Sequence, residues 1–201
     1  KKDIPDDEYK SKQYIGENDT ILCQMIRKDS IEEFITFINK NDYPINSIIE
    51  KSIFETNSFI NSQKDTTLIE YAAFFGSVQI FQYLYKNQAD INRRIWLYGI
   101  HSDDPEIIHL FEEYQIIPPN NSYKTCLKES IKCHHNDMSK YILNNFLNND
   151  EEINFVHDYD ENIISYCFQF YNFEQIPDKI IDKYIFYYAC QYDYFEIVEY
   201  F

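Results

Sequence analysis

One short phrase recurs along this chain and limits what it can fold into. It consists of a small or polar breaker, two further residues, an acid or amide, and then an apolar run. The phrase reads DSIEEFITFI from Asp29, GSVQIFQYLY from Gly76 and DDPEIIHLFE from Asp103. Plainer copies are HHNDMSKYIL from His134, YNFEQI from Tyr171 and DYFEIVEYF from Asp193. Inside the copies the apolar residues fall three and four apart, as Ile80, Phe81 and Leu84 do, which is the helical period. The breaker ends one helix where left-handed backbone is tolerated, and the acid complements the dipole of the next. Each copy therefore predicts a tight helix-turn-helix whose apolar face seeks a neighbour.

The copies start 47, 27, 31, 37 and 22 residues apart, so any array they form is irregular. Only three glycines occur, Gly16, Gly76 and Gly99, too few for the many tight turns of an all-β fold. Asn-rich breaks such as NKNDYPIN and PPNNS separate the helical runs. An all-α chain is expected, with a charged N-terminal tail over 1–16 and the helical array over 17–201, truncated at its C-terminal end.

The stretch TLIEYAAFFGSVQIFQYLYKNQADIN, Thr67 to Asn92, carries the repeat in its fullest form. It resembles an ankyrin repeat, T-P-L-H-x-A-A-x-x-G followed by an apolar second helix and G-A-D-x-N. In that register Thr67 opens the motif, Ala72 and Ala73 make the small helix–helix contact, and Gly76 makes the turn. Ile80, Phe81 and Leu84 fill the second helix, and Ala89, Asp90 and Asn92 close the unit. Leu68 stands where the family has proline, Glu70 where it has histidine and Gln88 where it has the closing glycine. The loop-bracing hydrogen bonds of the proline and histidine positions are thus not carried over. SIFETNSFI, IWLYGIH and CLKESIKCHHNDMSKYIL look more narrowly like an ankyrin-type domain of unknown function expanded in trichomonad protists. The resemblance implies an α-solenoid of irregular ankyrin-type helix-turn-helix repeats, stable through nearest-neighbour contacts.

Charge narrows the partners. The formal net charge is −16, and adjacent basic residues occur only as Lys1-Lys2, Arg27-Lys28 and Arg93-Arg94. Such a surface repels phosphate backbones, so nucleic acid is not an expected partner. No apolar run approaches the ~18 residues needed to span a membrane. Five cysteines, Cys23, Cys126, Cys133, Cys167 and Cys190, form no CxxC pair and lie inside apolar helical patterns. They read as free buried thiols of a reducing compartment, and the expected setting is cytoplasmic, with a cytoskeletal assembly compatible.

Local chemistry is sparse. KCHHND, with Cys126 seven residues upstream of Cys133, is the nearest approach to a zinc set, but the adjacent His134 and His135 would point about 100° apart on a helix. HSDD, His101 to Asp104, reads as an inter-helix turn rather than an acid–base cluster, which the fold would have to assemble from separate segments. The three glycines are too far apart for a phosphate-binding loop. No catalytic residue, cofactor or metal is expected, and the chain is not read as an enzyme.

The resemblance also implies where a partner docks. The two residues before the turn glycine of an ankyrin repeat generally face a concave groove, and here they are Phe74 and Phe75. Corresponding positions are Arg27-Lys28, His101-Ser102 and Lys132-Cys133, so the implied groove carries aromatics and cations. Aromatic and arginine side chains favour interfaces because they bury much area at low entropy cost. The phenylalanine pair could equally fill core. Groove and loop candidates are Phe74, Phe75, Arg93, Arg94, Lys28, Lys64, His101 and Lys132, and the expected function is non-catalytic binding of a partner protein. The alternative is a structural brace that joins a large assembly through an acidic convex face.

Overall fold

The computed structural model describes residues 5–147, 161–176 and 182–201, and the first four residues of the expected tail lie outside them. Two compact units divide at Glu113 and Tyr114. The first contains α1 (Asp6–Ile15), α2 (Ile21–Arg27), α3 (Ile31–Lys40), α4 (Ser58–Ser62), α5 (Leu68–Phe74), α6 (Val78–Lys86), α7 (Ile95–Ser102) and α8 (Pro105–Glu113). The second contains α9 (Lys124–Lys132), α10 (Asn136–Ile142), α11 (Glu161–Gln169), α12 (Asp182–Gln191) and α13 (Phe195–Tyr200). Among the described residues there is no strand, only an isolated antiparallel bridge between Ile48 and Thr67. The all-helical reading holds.

All six breakers of the recurring phrase adopt left-handed backbone. Their φ values are 48° at Asp29, 67° at Gly76, 53° at Asp103, 60° at His134, 58° at Tyr171 and 60° at Asp193. At five of them the next residue's amide reaches back five positions, closing the helix that has just ended. These bonds run from Ser30 to Met25, Ser77 to Ala72, His135 to Ser130, Asn172 to Cys167 and Tyr194 to Ala189, at 2.9–3.0 Å. The bond removes an orphan carbonyl and turns the chain sharply, so the next helix folds back on the last.

That same next residue also ties one hairpin to the one before it. Ser77 Oγ donates to the Ile26 carbonyl at 2.6 Å. Asn172 Nδ2 donates to the Ile131 carbonyl at 2.9 Å, and Tyr194 OH to the Phe168 carbonyl at 2.7 Å. In each case the acceptor lies three residues before the preceding breaker. Asp29 adds a reverse tie, its two carboxylate oxygens accepting from the Gln79 and Ile80 amides and so capping α6.

In the first unit α2 packs on α3, α5 on α6 and α7 on α8, while α5 also packs on α2 and α7. Helix α5 is buried along its whole length. Thr67 caps it, Ala72 and Ala73 are wholly buried, and Leu84 fills the core from α6. Gly99 lets α8 approach α7, since a Cβ there would stand 2.4 Å from the Phe111 ring. At the loop tips Asp90 and Asn46 exchange reciprocal hydrogen bonds, Asn46 Nδ2 to Asp90 Oδ2 at 2.7 Å and the Asp90 amide to Asn46 Oδ1 at 2.8 Å. Ala89 is buried beside this exchange, and Asn92 Oδ1 accepts from the Arg94 amide at 3.0 Å.

In the second unit α9 packs on α10 and α11, and α12 on α11 and α13. Ile164, Phe168, Tyr188 and Ala189 form its buried cluster, with Ile185, Ile197 and Val198 packed around it. The thiols divide more finely than expected. Cys23, Cys126 and Cys167 are buried, Cys133 is half-buried and Cys190 is exposed, because α12 turns Tyr188 and Ala189 inward instead. Within the segment expected as a charged tail the chain is helical in α1, and that helix buries none of its residues.

Candidate functional site: the ends of the first helices

Residues singled out for a groove sit at the C-terminal ends of α2, α5 and α7, directly before the breakers. The phenylalanine pair divides between the two roles left open. Phe74 is buried, stacked on Phe59 at 5.8 Å and on His101 at 5.3 Å. His101 in turn lies 4.1 Å from the Phe59 ring, so it belongs to an aromatic stack that also includes Tyr98. Phe75 is half-buried, with its ring 4.7 Å from Tyr71 and the Arg27 guanidinium 5.8 Å over its face. Phe74 is core, and Phe75 is the aromatic that reaches the surface.

Arg27 organises this surface. Its Nε pairs with Glu17 at 2.7 Å, and its Nη1 donates to the Asn18 carbonyl at 2.8 Å and to Tyr71 OH at 2.9 Å. Burial, reinforced by the nearby Cys23, pushes the Tyr71 phenol far up, so it stays neutral and can accept from the arginine. Burial likewise raises the Cys23 thiol. Lys28, the next residue, is exposed and makes no ion pair among the described residues. Beside these groups opens a cleft of about 700 Å³, bounded on its other side by α1.

Arg93 and Arg94 point to different ends. Arg93 is exposed, whereas Arg94 Nε donates to Glu70 Oε1 at 2.8 Å and its Nη2 reaches the Asp65 carbonyl. Glu70 itself is 1% exposed and completes a capping box with Thr67, accepting from the Thr67 amide at 2.9 Å. The Glu70 hydrogen bond raises the Arg94 guanidinium pKa despite partial burial. A carboxylate and an arginine thus brace the loop where the ankyrin pattern has histidine.

The other candidates are dispersed. Lys64 is exposed on the loop before α5, and Lys132 is exposed at the end of α9 with Glu129 at 2.9 Å. Cys126, upstream of the KCHHND stretch, is buried, which pushes its thiol up to about 12, and His134 serves as the left-handed turn residue. In HSDD, Ser102 Oγ donates to the Gly99 carbonyl at 2.6 Å and accepts from the Asp104 amide at 3.1 Å, which is turn chemistry.

Sequence reasoning had placed Arg27 beside Lys28 but did not make it a candidate, and it missed Phe59 and the Glu70–Arg94 pair. Arg27 carried a signal, as the only arginine within the two positions before a breaker. Phe59 lies in a short helix outside the recurring phrase and carried none. No family model, curated protein or solved structure matches the chain. Among the described residues no helix is long and apolar enough to cross a membrane.

Proposed function

We propose that this chain is a non-catalytic scaffold that binds a partner protein along the ends of its first helices. The hairpins are read as an irregular ankyrin-type solenoid, with the array of C-terminal ends as its concave side and the cytoplasm as its setting. The observation that carries the reading is the surface formed by Phe75, Arg27 and Lys28. An aromatic face lies under a guanidinium that is already desolvated and oriented, beside an ammonium that makes no ion pair among the described residues. Aromatic and arginine groups held in place lose little further entropy on binding. The six left-handed turns support a repeat, because one backbone device recurs wherever the phrase does.

Affinity capture with the full chain tests this. Phe75→Ala should release the partner, while Glu32→Lys with Glu33→Lys on exposed α3 positions should leave capture intact. The opposite pattern would favour a brace that docks through its acidic helices.

A further inference from the structure

The cleft beside α2 has an unusual construction. Its α1 wall presents Glu8, Ser11, Lys12 and Ile15, which share one helical face. Its α2 wall presents Gln24, Arg27 and Lys28, again one face, with Phe75 at the end. Two helix faces therefore oppose each other across about 700 Å³ without packing together. A surface cleft of this size lies within the range of ligand clefts.

The hinge that holds α1 is short. Thr56 donates its amide to the Gly16 carbonyl at 2.9 Å and its hydroxyl to the same oxygen at 2.8 Å. Beyond the hinge, the Tyr9 and Phe54 rings meet edge to face with centroids 5.3 Å apart, and Lys12 pairs with Asp19 at 3.0 Å. Helix α1 buries no residue of its own, so it can shift as a wall at little cost in packing.

Charge within the cleft is mostly matched. Lys12 is held between Glu8 and Asp19, and Arg27 by Glu17. Lys28 remains as the lining cation with no ion pair among the described residues, facing a cleft that also offers the apolar surfaces of Ile15 and Phe75.

We propose that the cleft between α1 and α2 clamps a short segment of the partner protein carrying a carboxylate for Lys28 and an apolar side chain for the space between Ile15 and Phe75. This rests on the scaffold reading and names the chemistry of what that surface takes. Helix α1 is the movable jaw and closes on the segment as it enters.

A random peptide library displayed on phage, selected against the immobilised full chain, tests it. Enriched peptides should share an Asp or Glu near a Phe, Leu or Ile. Lys28→Glu should weaken the best peptide about fivefold or more, as reversal of a rim charge does, and Phe75→Ala about tenfold. Hydrogen exchange on the complex should show slower exchange in both α1 and the last turn of α2. Enrichment of basic peptides, no enrichment, indifference to Lys28→Glu, or faster exchange in α1 would each overturn the clamp. If the clamp fails while Phe75→Ala still releases the captured partner, the scaffold reading stands without it.

Discussion

Arg94→Met should destabilise the chain by about 2 kcal/mol although it removes no buried apolar atom. The substitution leaves Glu70 with its Thr67 bonds but without the guanidinium at 2.8 Å. Removing one partner of a fully buried pair costs ~3–5 kcal/mol, because the remaining charge is uncompensated. Arg94 keeps 34% of its side chain exposed, against 1% for Glu70, so water reaches one side of the pair. Solvent screening therefore cuts that range roughly by half. Urea denaturation followed by far-ultraviolet circular dichroism reads the difference through the midpoint at constant slope. A cycle with Glu70→Gln isolates the charge, and in that background Arg94→Met should cost under about 1 kcal/mol. A loss below about 0.5 kcal/mol in the native background would refute the brace and return Arg94 to the surface anchors.

Gly76→Ala should cost about 1–2 kcal/mol, since φ is +67° and the added carbon meets Asp104 Oδ2 at 3.1 Å; thermal unfolding measures it. Asn172→Ala should cost about 1–3 kcal/mol, because it strips the Ile131 carbonyl of a buried donor, and urea titration reads the loss. Phe74→Ala should destabilise by ~3 kcal/mol and Phe75→Ala by far less, so a fold that collapses equally in both would contradict the division between core and surface. Burial raises the Cys126 and Cys167 thiols from 9.0 to about 12, so the unfolded chain sheds these protons first as pH rises. Stability should therefore be unaffected by them below pH 9 and fall between 9 and about 12, with Cys190 the thiol labelled readily in the native chain.

The turns were the most legible part of this chain. Asp29, Gly76, Asp103, His134, Tyr171 and Asp193 were identified from a breaker followed by an acid or amide, and all six take the left-handed backbone that the pattern requires. Tyr171 shows how far context overrides propensity, since a bulky residue holds φ 58° where Gly or Asn would be favoured. The ties between hairpins were not legible. Ser77, Asn172 and Tyr194 make the same bond to a carbonyl with a hydroxyl, an amide and a phenol, so no residue type marks the position. Glu70 was visible only as a departure from the ankyrin pattern, because its arginine lies 24 residues downstream. The Phe74–Phe75 choice needed the structure, because adjacent helical residues point about 100° apart and only packing tells which faces in.

Cross-linking mass spectrometry of the chain in extract from its native source tests the central claim most directly. The account predicts that links from Lys28, Lys64 and Lys132 converge on one dominant partner and that the Lys28 links vanish with Phe75→Ala. Links confined to Lys128, Lys140 and the first residues of the chain, or scattered over many subunits of one assembly, would contradict it.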